Sequence, residues 1–248
     1  MIKHNYQIII EYDGTNFVGW QYQKNGISIQ EVLEKKIQKL LKQNIKIIGA
    51  GRTDAGVHAF GQSANFLINK KIENCKVFLN SINFFLNKYA ISVIDIKKKR
   101  LNFHSRHNAK ERVYEYKITN RHSSLALNKN RSWLIKNNLD KKLLKQGAKI
   151  LKGKHDFSTF RSSSCSAKSA TKKMNDVKIF KEGENITIQF RSRSFLQNQV
   201  RSMVGCLKYL SCKKWSLKKF KEVFKSKNRK FCAPPAPAHG LYLAKVKY

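Results

Sequence analysis

No stretch of this 248-residue chain stays apolar for the roughly 18 residues that a membrane-crossing helix requires, so no spanning segment is expected. Acidic side chains are scarce, 15 against 51 lysines and arginines, and none are paired in the way that holds two catalytic metal ions. Five cysteines (Cys75, Cys165, Cys206, Cys212, Cys232) form an odd, scattered set without a C-x-x-C pair, which fits reduced thiols. His104 and His107 stand three apart without cysteine or carboxylate partners at ligand spacing, so no metal is expected. The first residues, Met1-Ile2-Lys3-His4-Asn5-Tyr6, lead straight into a strand-like run with no signal-peptide pattern, and the expectation is a soluble, cytoplasmic protein. Phosphate-cradling loops are missing too. The glycine-dense stretch GAGRTDAGVHAFG (49 to 61) breaks both nucleotide-binding patterns, because Gly49-Ala50-Gly51-Arg52-Thr53 runs into Asp54 and a carboxylate there repels a pyrophosphate. No cofactor is expected.

What the chain has in excess is positive charge. A formal net charge of +36 suggests a polyanionic partner, most simply a nucleic acid. The excess is mostly lysine, 40 against 11 arginines, alongside abundant Asn and Ile, and runs such as Lys97-Lys98-Lys99-Arg100 read equally well as solvated faces. The arginines are more telling. Arg52, Arg106, Arg112, Arg161, Arg191, Arg193 and Arg201 lie in segments that also hold aromatics, glycines or Asp54, where a bidentate guanidinium suits phosphate or carboxylate.

Hydrophobic periodicity organises the chain into alternating strands and helices. Residues 6 to 14 read as a strand ending at Asp13-Gly14, and 28 to 41 as an amphipathic helix opened by a Ser28/Glu31 capping box. Strands follow at 45 to 51 and 62 to 68, a helix at 75 to 87 and a strand at 91 to 96. This order describes a split β-α-β unit, an antiparallel sheet with helices on one face and the other face open for a ligand. A second unit has strands at 111 to 119, 175 to 180, 185 to 190 and 240 to 248, and helices at 140 to 151, 194 to 210 and 217 to 226. The helix over 194 to 210 is predicted from a Ser194/Gln197 capping box, with Asn198, Arg201, Gly205 and Lys208 sharing a polar face. The polar loop 161 to 173 is either a gate or plain surface.

Four segments concentrate arginine, aromatics and glycine: 12 to 23, 49 to 61, 103 to 116 and 190 to 205. Aromatics interleaved with basic residues suit stacking on unpaired bases with phosphate contact, although Phe17, Trp20 and Tyr116 also read as packing residues. Four glycines in 49 to 61 are too dense for a helix, each costing roughly 1 kcal/mol relative to Ala, so Asp54 sits on a turn, as a structural cap or as a reactive group.

Taken in order, Tyr12-Asp13-Gly14 with Phe17-x-Gly19-Trp20-Gln21-x-Gln23, Gly51-Arg52-Thr53-Asp54-Ala55-Gly56-Val57-His58-Ala59, Phe103-His104-x-Arg106, Tyr114-x-Tyr116, His155-Asp156-Phe157, Gln199-Val200-Arg201-x-Met203-Val204-Gly205 and Gly240-Leu241-x-Leu243 resemble the TruA-type tRNA pseudouridine synthases nearly end to end. The resemblance implies an α/β (α+β) fold of two ferredoxin-like (RRM-like) halves, 1 to 105 and 106 to 248, forming a joined antiparallel sheet with helices on one face and a central active-site cleft. It implies a cofactor-free homodimer that isomerises uridines on the 3′ side of the tRNA anticodon arm. Carried over residue by residue, Asp54 is the catalytic carboxylate, Arg201 its ion-pair partner and Tyr114 the stacking residue with a hydroxyl for proton transfer. Arg52 helps to extrude the nucleotide, and Leu241 joins Arg52 and Tyr114 in holding the substrate. Glu115 departs from the family pattern, where a basic residue is common. Two other functions stay open on the residues alone: a non-catalytic RNA-binding protein on the same sheet, and an RNA hydrolase, for which acid, base and metal groups are missing.

Overall fold

The computed structural model describes residues 3–248; Met1 and Ile2, with which the expected first half begins, lie outside the described residues. The chain divides into two compact units, Met1–Lys110 with Leu243–Tyr248, and Glu111–Tyr242. The division expected from the sequence fell at 105/106 and kept the whole C-terminus in the second half.

In the first unit β1 (His4–Tyr12), α1 (Ile29–Leu41), β2 (Ile47–Gly49), β3 (His58–Ile68), α2 (Cys75–Leu86) and β4 (Ile91–Lys99) follow the β-α-β-β-α-β order. The strands lie β4-β1-β3 with β2 against β3, and all of these pairs are antiparallel. Tyr6, Ile8, Ile10 and Tyr12, at the period of two that a strand imposes, are buried to 2% exposure or less. The α1 stripe of Ile29, Val32, Leu33 and Ile37 is buried as the periodicity predicts. Its capping box is half made: Ser28 Oγ accepts from Glu31 N–H at 3.2 Å, while the Glu31 carboxylate turns to Lys35 at 2.7 Å.

The second unit holds β5 (Glu111–Asn120), β6 (Trp133–Ile135), α3 (Lys141–Leu151), β7 (Gly153–Asp156), β8 (Thr171–Glu182), β9 (Asn185–Ser192), α4 (Gln199–Ser211) and α5 (Leu217–Lys225). Its strands run β5-β9-β8-β7, antiparallel throughout, and β6 adds to β5 in parallel. The expected hairpin is present: Glu182 pairs with Asn185 around Gly183, whose φ of +55° is the left-handed conformation that a two-residue turn needs. Gly147 of α3 has no side chain to keep Leu207 and Leu210 of α4 away, so the two helices pack closely. The last strand, β10 (Leu241–Lys247), reaches the first unit with Leu243 and there lies beside β3.

The fold class is the expected one, mixed α/β with mostly antiparallel strands, but four local expectations change. The α4 helix begins at Gln199 and not at Ser194, because Asn198 takes a left-handed φ of +60° and Gln199 Oε1, reaching back, accepts from Leu196 N–H at 2.8 Å. Its expected polar face is partly a packing face: Gly205 is buried against the Pro234 carbonyl, which lies 2.1 Å from where a Cβ would sit. The far sheet face of the first unit is open only in part, with Glu11 and Leu67 exposed on it. Asn5, Gln7, Ser63 and Asn65 are buried there under the 100 to 105 segment and Tyr248, with Asn5 Nδ2 donating to the Phe103 carbonyl at 2.8 Å and Tyr248 OH to Ser63 Oγ at 2.7 Å. Two short strands, β6 and β7, carry too few residues for periodicity to reveal them.

No helix among the described residues is long and apolar enough to cross a membrane. All five cysteines are unbridged, although Cys206 and Cys232 bring their sulfurs to 3.5 Å. Asp140 caps α3 by accepting from Lys142 N–H at 2.8 Å and Leu143 N–H at 3.1 Å. Asp140→Ala is therefore expected to lower stability by about 1 kcal/mol, read as a reduced midpoint of urea unfolding, with Asp140→Asn close to the parent.

Candidate active site

In the first unit the chain leaves β2 at Gly49 and crosses to β3 as a loop fastened along its length. Ala50 N–H donates to the Ser63 carbonyl at 2.7 Å, and Gln62 Nε2 donates to the Gly51 carbonyl at 2.7 Å. Trp20 N–H donates to the Thr53 carbonyl at 3.0 Å, and Val57 N–H to the Asp54 carbonyl at 3.1 Å, closing a turn over 54 to 57. Gly56 supplies the φ of +74° that the third residue of a type II turn requires. Residues 50 to 57 are the turn that the glycine content of 49 to 61 predicts, while Gly49 ends β2 and Gly61 lies within β3. Asp54 sits on it half-buried, with exposed Arg52 two residues before it and exposed Ala55 after it.

The segment 12 to 23 braces this loop. Gly19, at φ +110°, lies so close that a Cβ there would come within 2.6 Å of the Thr53 carbonyl oxygen. A Cβ on Gly49 would meet the Trp20 indole at 2.5 Å. Phe17 and Trp20 are buried and pack under the loop. Next to the loop, His58 Nδ1 lies 3.0 Å from Gly14 N and 3.1 Å from Asp13 Oδ1; one nitrogen serves only one of these at a time, accepting from the first or donating to the second.

In the second unit Tyr114 and Tyr116, two apart on β5, share one sheet face. Tyr114 is buried at 8% exposure, pairs across the ladder with Phe190, and meets Phe195 edge-on at 5.0 Å. Tyr116 is wholly buried, donates to the Pro237 carbonyl at 2.8 Å, and packs on Gly240. Burial pushes its phenol far above the usual tyrosine range, with Arg201 opposing in part, so Tyr116 is a structural donor and not an acid-base group. Arg201 on α4 is therefore near this face. Its Nε donates to the Ala236 carbonyl at 2.7 Å and Nη1 to Asn198 Oδ1 at 3.2 Å, while Ala236 N–H returns a bond to the Arg201 carbonyl at 2.9 Å. Leu241, adjoining Gly240, is buried at the start of β10.

The arginines singled out in the sequence separate into two groups. Arg112 donates to the Arg193 carbonyl, Arg161 to the carbonyls of Cys165 and Ala167, and Arg191 to Glu111 Oε1 at 2.8 Å, so these three organise the protein itself. Arg52, Arg106 and Arg193 are exposed. Arg161 thereby gives the 161 to 173 loop an internal frame. Glu115 is accounted for by Gln189 opposite it on β9, whose Nε2 donates to Glu115 Oε1 at 3.0 Å. The His104 and His107 rings lie 4.2 Å apart and tilted by 48°, and no group of three or more metal-ligating side chains gathers among the described residues.

The structure thus places Arg52 and Asp54 on one fastened loop and Tyr114 and Arg201 about one sheet face. Sequence reading missed the part played by Gly19, grouped only with its aromatic neighbours. A left-handed glycine facing another loop's backbone has no signature that separates it from any turn glycine.

A family model described as tRNA pseudouridine synthase matches residues 8–108 and 148–248, two stretches that fall largely in the first and second units. A tRNA pseudouridine synthase A of Pelagibacter ubique (strain HTCC1062) is 57% identical over 243 residues, covering 98% of this chain and 99% of that relative. One of Ehrlichia canis (strain Jake) is 43% identical over 244 residues, with 98% and 99% covered. The chain belongs to the tRNA pseudouridine synthase family. It is an isomerase.

Gly19→Ala is expected to cost about 2 to 3 kcal/mol, because strained backbone and a backbone clash combine. Gly183→Ala, at φ +55° with open space around it, is expected to cost about 1 kcal/mol. Urea titration of the two variants side by side checks the difference.

Proposed function

We propose that the chain converts uridine to pseudouridine on the 3′ side of the tRNA anticodon arm, with Asp54 as the catalytic carboxylate. The observation that carries this reading is the half-buried Asp54 on a loop fastened at Ala50, Gly51, Thr53 and Gly56. Isomerisation breaks the N1–C1′ bond, turns the base and joins C5 to C1′; C5 gives up a proton and N1 gains one. A carboxylate held next to the ribose serves this chemistry by adding to the base, by attacking C1′, or by taking the 2′ proton to give a glycal, and all three demand a fixed position.

In this proposal Arg201 pairs with Asp54 and keeps it ionised, as an opposite charge at close range does. Tyr114 stacks on the target base and relays the C5 proton. Exposed Arg52 holds the phosphate of the everted nucleotide, whose unpairing costs a few kcal/mol, and Leu241 lends an apolar contact. The protein acts without a cofactor, as a homodimer in the cytoplasm; these features rest on the family resemblance. The net charge of +36 suits a phosphate-rich substrate, and the exposed arginines 52, 106 and 193 are its best-placed phosphate ligands.

Incubation with a tRNA transcript, followed by detection of pseudouridine, tests the reading. The parent protein is expected to yield product at anticodon-arm uridines with chelator present. Asp54→Asn is expected to yield none while retaining tRNA affinity. Strand cleavage, or tight binding to a transcript that stays unmodified, overturns the proposal.

A further inference from the structure

Beyond the residues already given roles, one buried side chain grips the catalytic loop beside its carboxylate. Tyr12 ends β1 where the ladder with β3 loses register: Ile10 pairs with Gln62 but Tyr12 with Ala59, so β3 carries an extra residue there. A bulge of this kind bends the strand that carries it, here β3 beside the end of β1. The Tyr12 ring is 2% exposed and packs by Trp20 at 6.2 Å between centroids. Its hydroxyl lies 2.8 Å from Thr53 Oγ1. Thr53 is itself 7% exposed, and its carbonyl is taken by Trp20 N–H at 3.0 Å. The residue before Asp54 is therefore fixed through both its main chain and its side chain, and the Asp54 carbonyl is fixed in turn by the 54 to 57 bond.

We propose that Tyr12 is a positioning residue for the isomerisation: its hydroxyl, acting on Thr53, fixes the backbone that aims the Asp54 carboxylate. The proposal rests on the catalytic assignment of Asp54 made above. A buried phenol requires a hydrogen-bond partner, and many would serve the fold equally. Tyr12, last in the buried alternation of β1, makes its bond to Thr53, the residue next to the carboxylate. Gln62 holds the loop three residues earlier, at Gly51, and Gly56 N–H holds it two residues later, at the Phe17 carbonyl. Among these fastenings the Tyr12–Thr53 bond joins two side chains and is therefore removable by exchanging one hydroxyl. Misplacing a reacting group by about 1 Å costs up to roughly 100-fold in rate. Substrate affinity, spread over many phosphate contacts, is insensitive to such a shift.

The test compares Tyr12→Phe, Thr53→Val, their double variant, Thr53→Ser and Asp54→Asn in the full chain, by single-turnover pseudouridine formation, tRNA dissociation constant and thermal unfolding. Tyr12→Phe and Thr53→Val are each expected to slow turnover about 10- to 100-fold with tRNA affinity unchanged. The double variant should be no slower than the slower single, as for two ends of one bond, and Thr53→Ser should recover the rate. A full-rate Tyr12→Phe, a double variant whose losses multiply, or a fall in affinity that accounts for the fall in rate overturns the positioning role. Should Tyr12→Phe fail to fold, Thr53→Val against Thr53→Ser decides the matter, since equal rates in those two overturn the role. Inactive Asp54→Asn with full-rate Tyr12→Phe removes the positioning role alone; active Asp54→Asn removes the assignment of the carboxylate.

Discussion

The close approach of the 17 to 20 backbone to the 53 to 56 backbone is the constraint on which the candidate site depends. Trp20 N–H on the Thr53 carbonyl and Gly56 N–H on the Phe17 carbonyl draw two irregular segments together, and Gly19 leaves room for them to meet. Loops ordinarily carry functional side chains at the cost of mobility. Here the loop borrows the rigidity of β1 and α1, because its bracing segment connects them. A reactive carboxylate on such a loop loses little entropy when a substrate arrives.

Charge is used in two ways. Arg112, Arg161 and Arg191 spend their guanidinium donors on carbonyls and on Glu111, where five donors in a planar fork hold loops and strand ends that a lysine holds less well. Arg52, Arg106 and Arg193 stay at the surface with the lysines. The expectation that these arginines contact phosphate or carboxylate covers Arg191 on Glu111, whereas Arg112 and Arg161 hold main-chain carbonyls instead. Arg201 belongs to both groups, since it is clamped to Ala236 and Asn198 and also proposed as the partner of Asp54.

Most elements were legible because their periodicity is local. The α1 stripe and the 182 to 185 hairpin announce themselves within a few residues of chain. The failures were non-local. The capping box at Ser194 is a sound local signal, yet α4 waits until Gln199 because Asn198 accepts a left-handed φ and the Arg201–Ala236 clamp and the Gly205–Pro234 approach tie the helix to a distant segment. The far sheet face of the first unit was expected to be open because both helices cover the opposite face, whereas carbonyls of 100 to 103 and the Tyr248 hydroxyl bond to Asn5 and Ser63 and cover part of it.

The sequence by itself determined the family, the mixed α/β class and the turn bearing Asp54, because motifs, two- and 3.6-residue periods and glycine density are properties of neighbours along the chain. Tertiary structure alone decided that Phe17, Trp20 and Tyr116 pack inside while Asp54 stays half-accessible, which arginines serve the protein itself, and that Tyr12 reaches Thr53. Apart from the short-range Arg161 bonds, those outcomes depend on backbones and side chains meeting across long stretches of chain, as Tyr12 and Thr53 do, and nothing in the spacing of residues encodes such a meeting until the chain has folded.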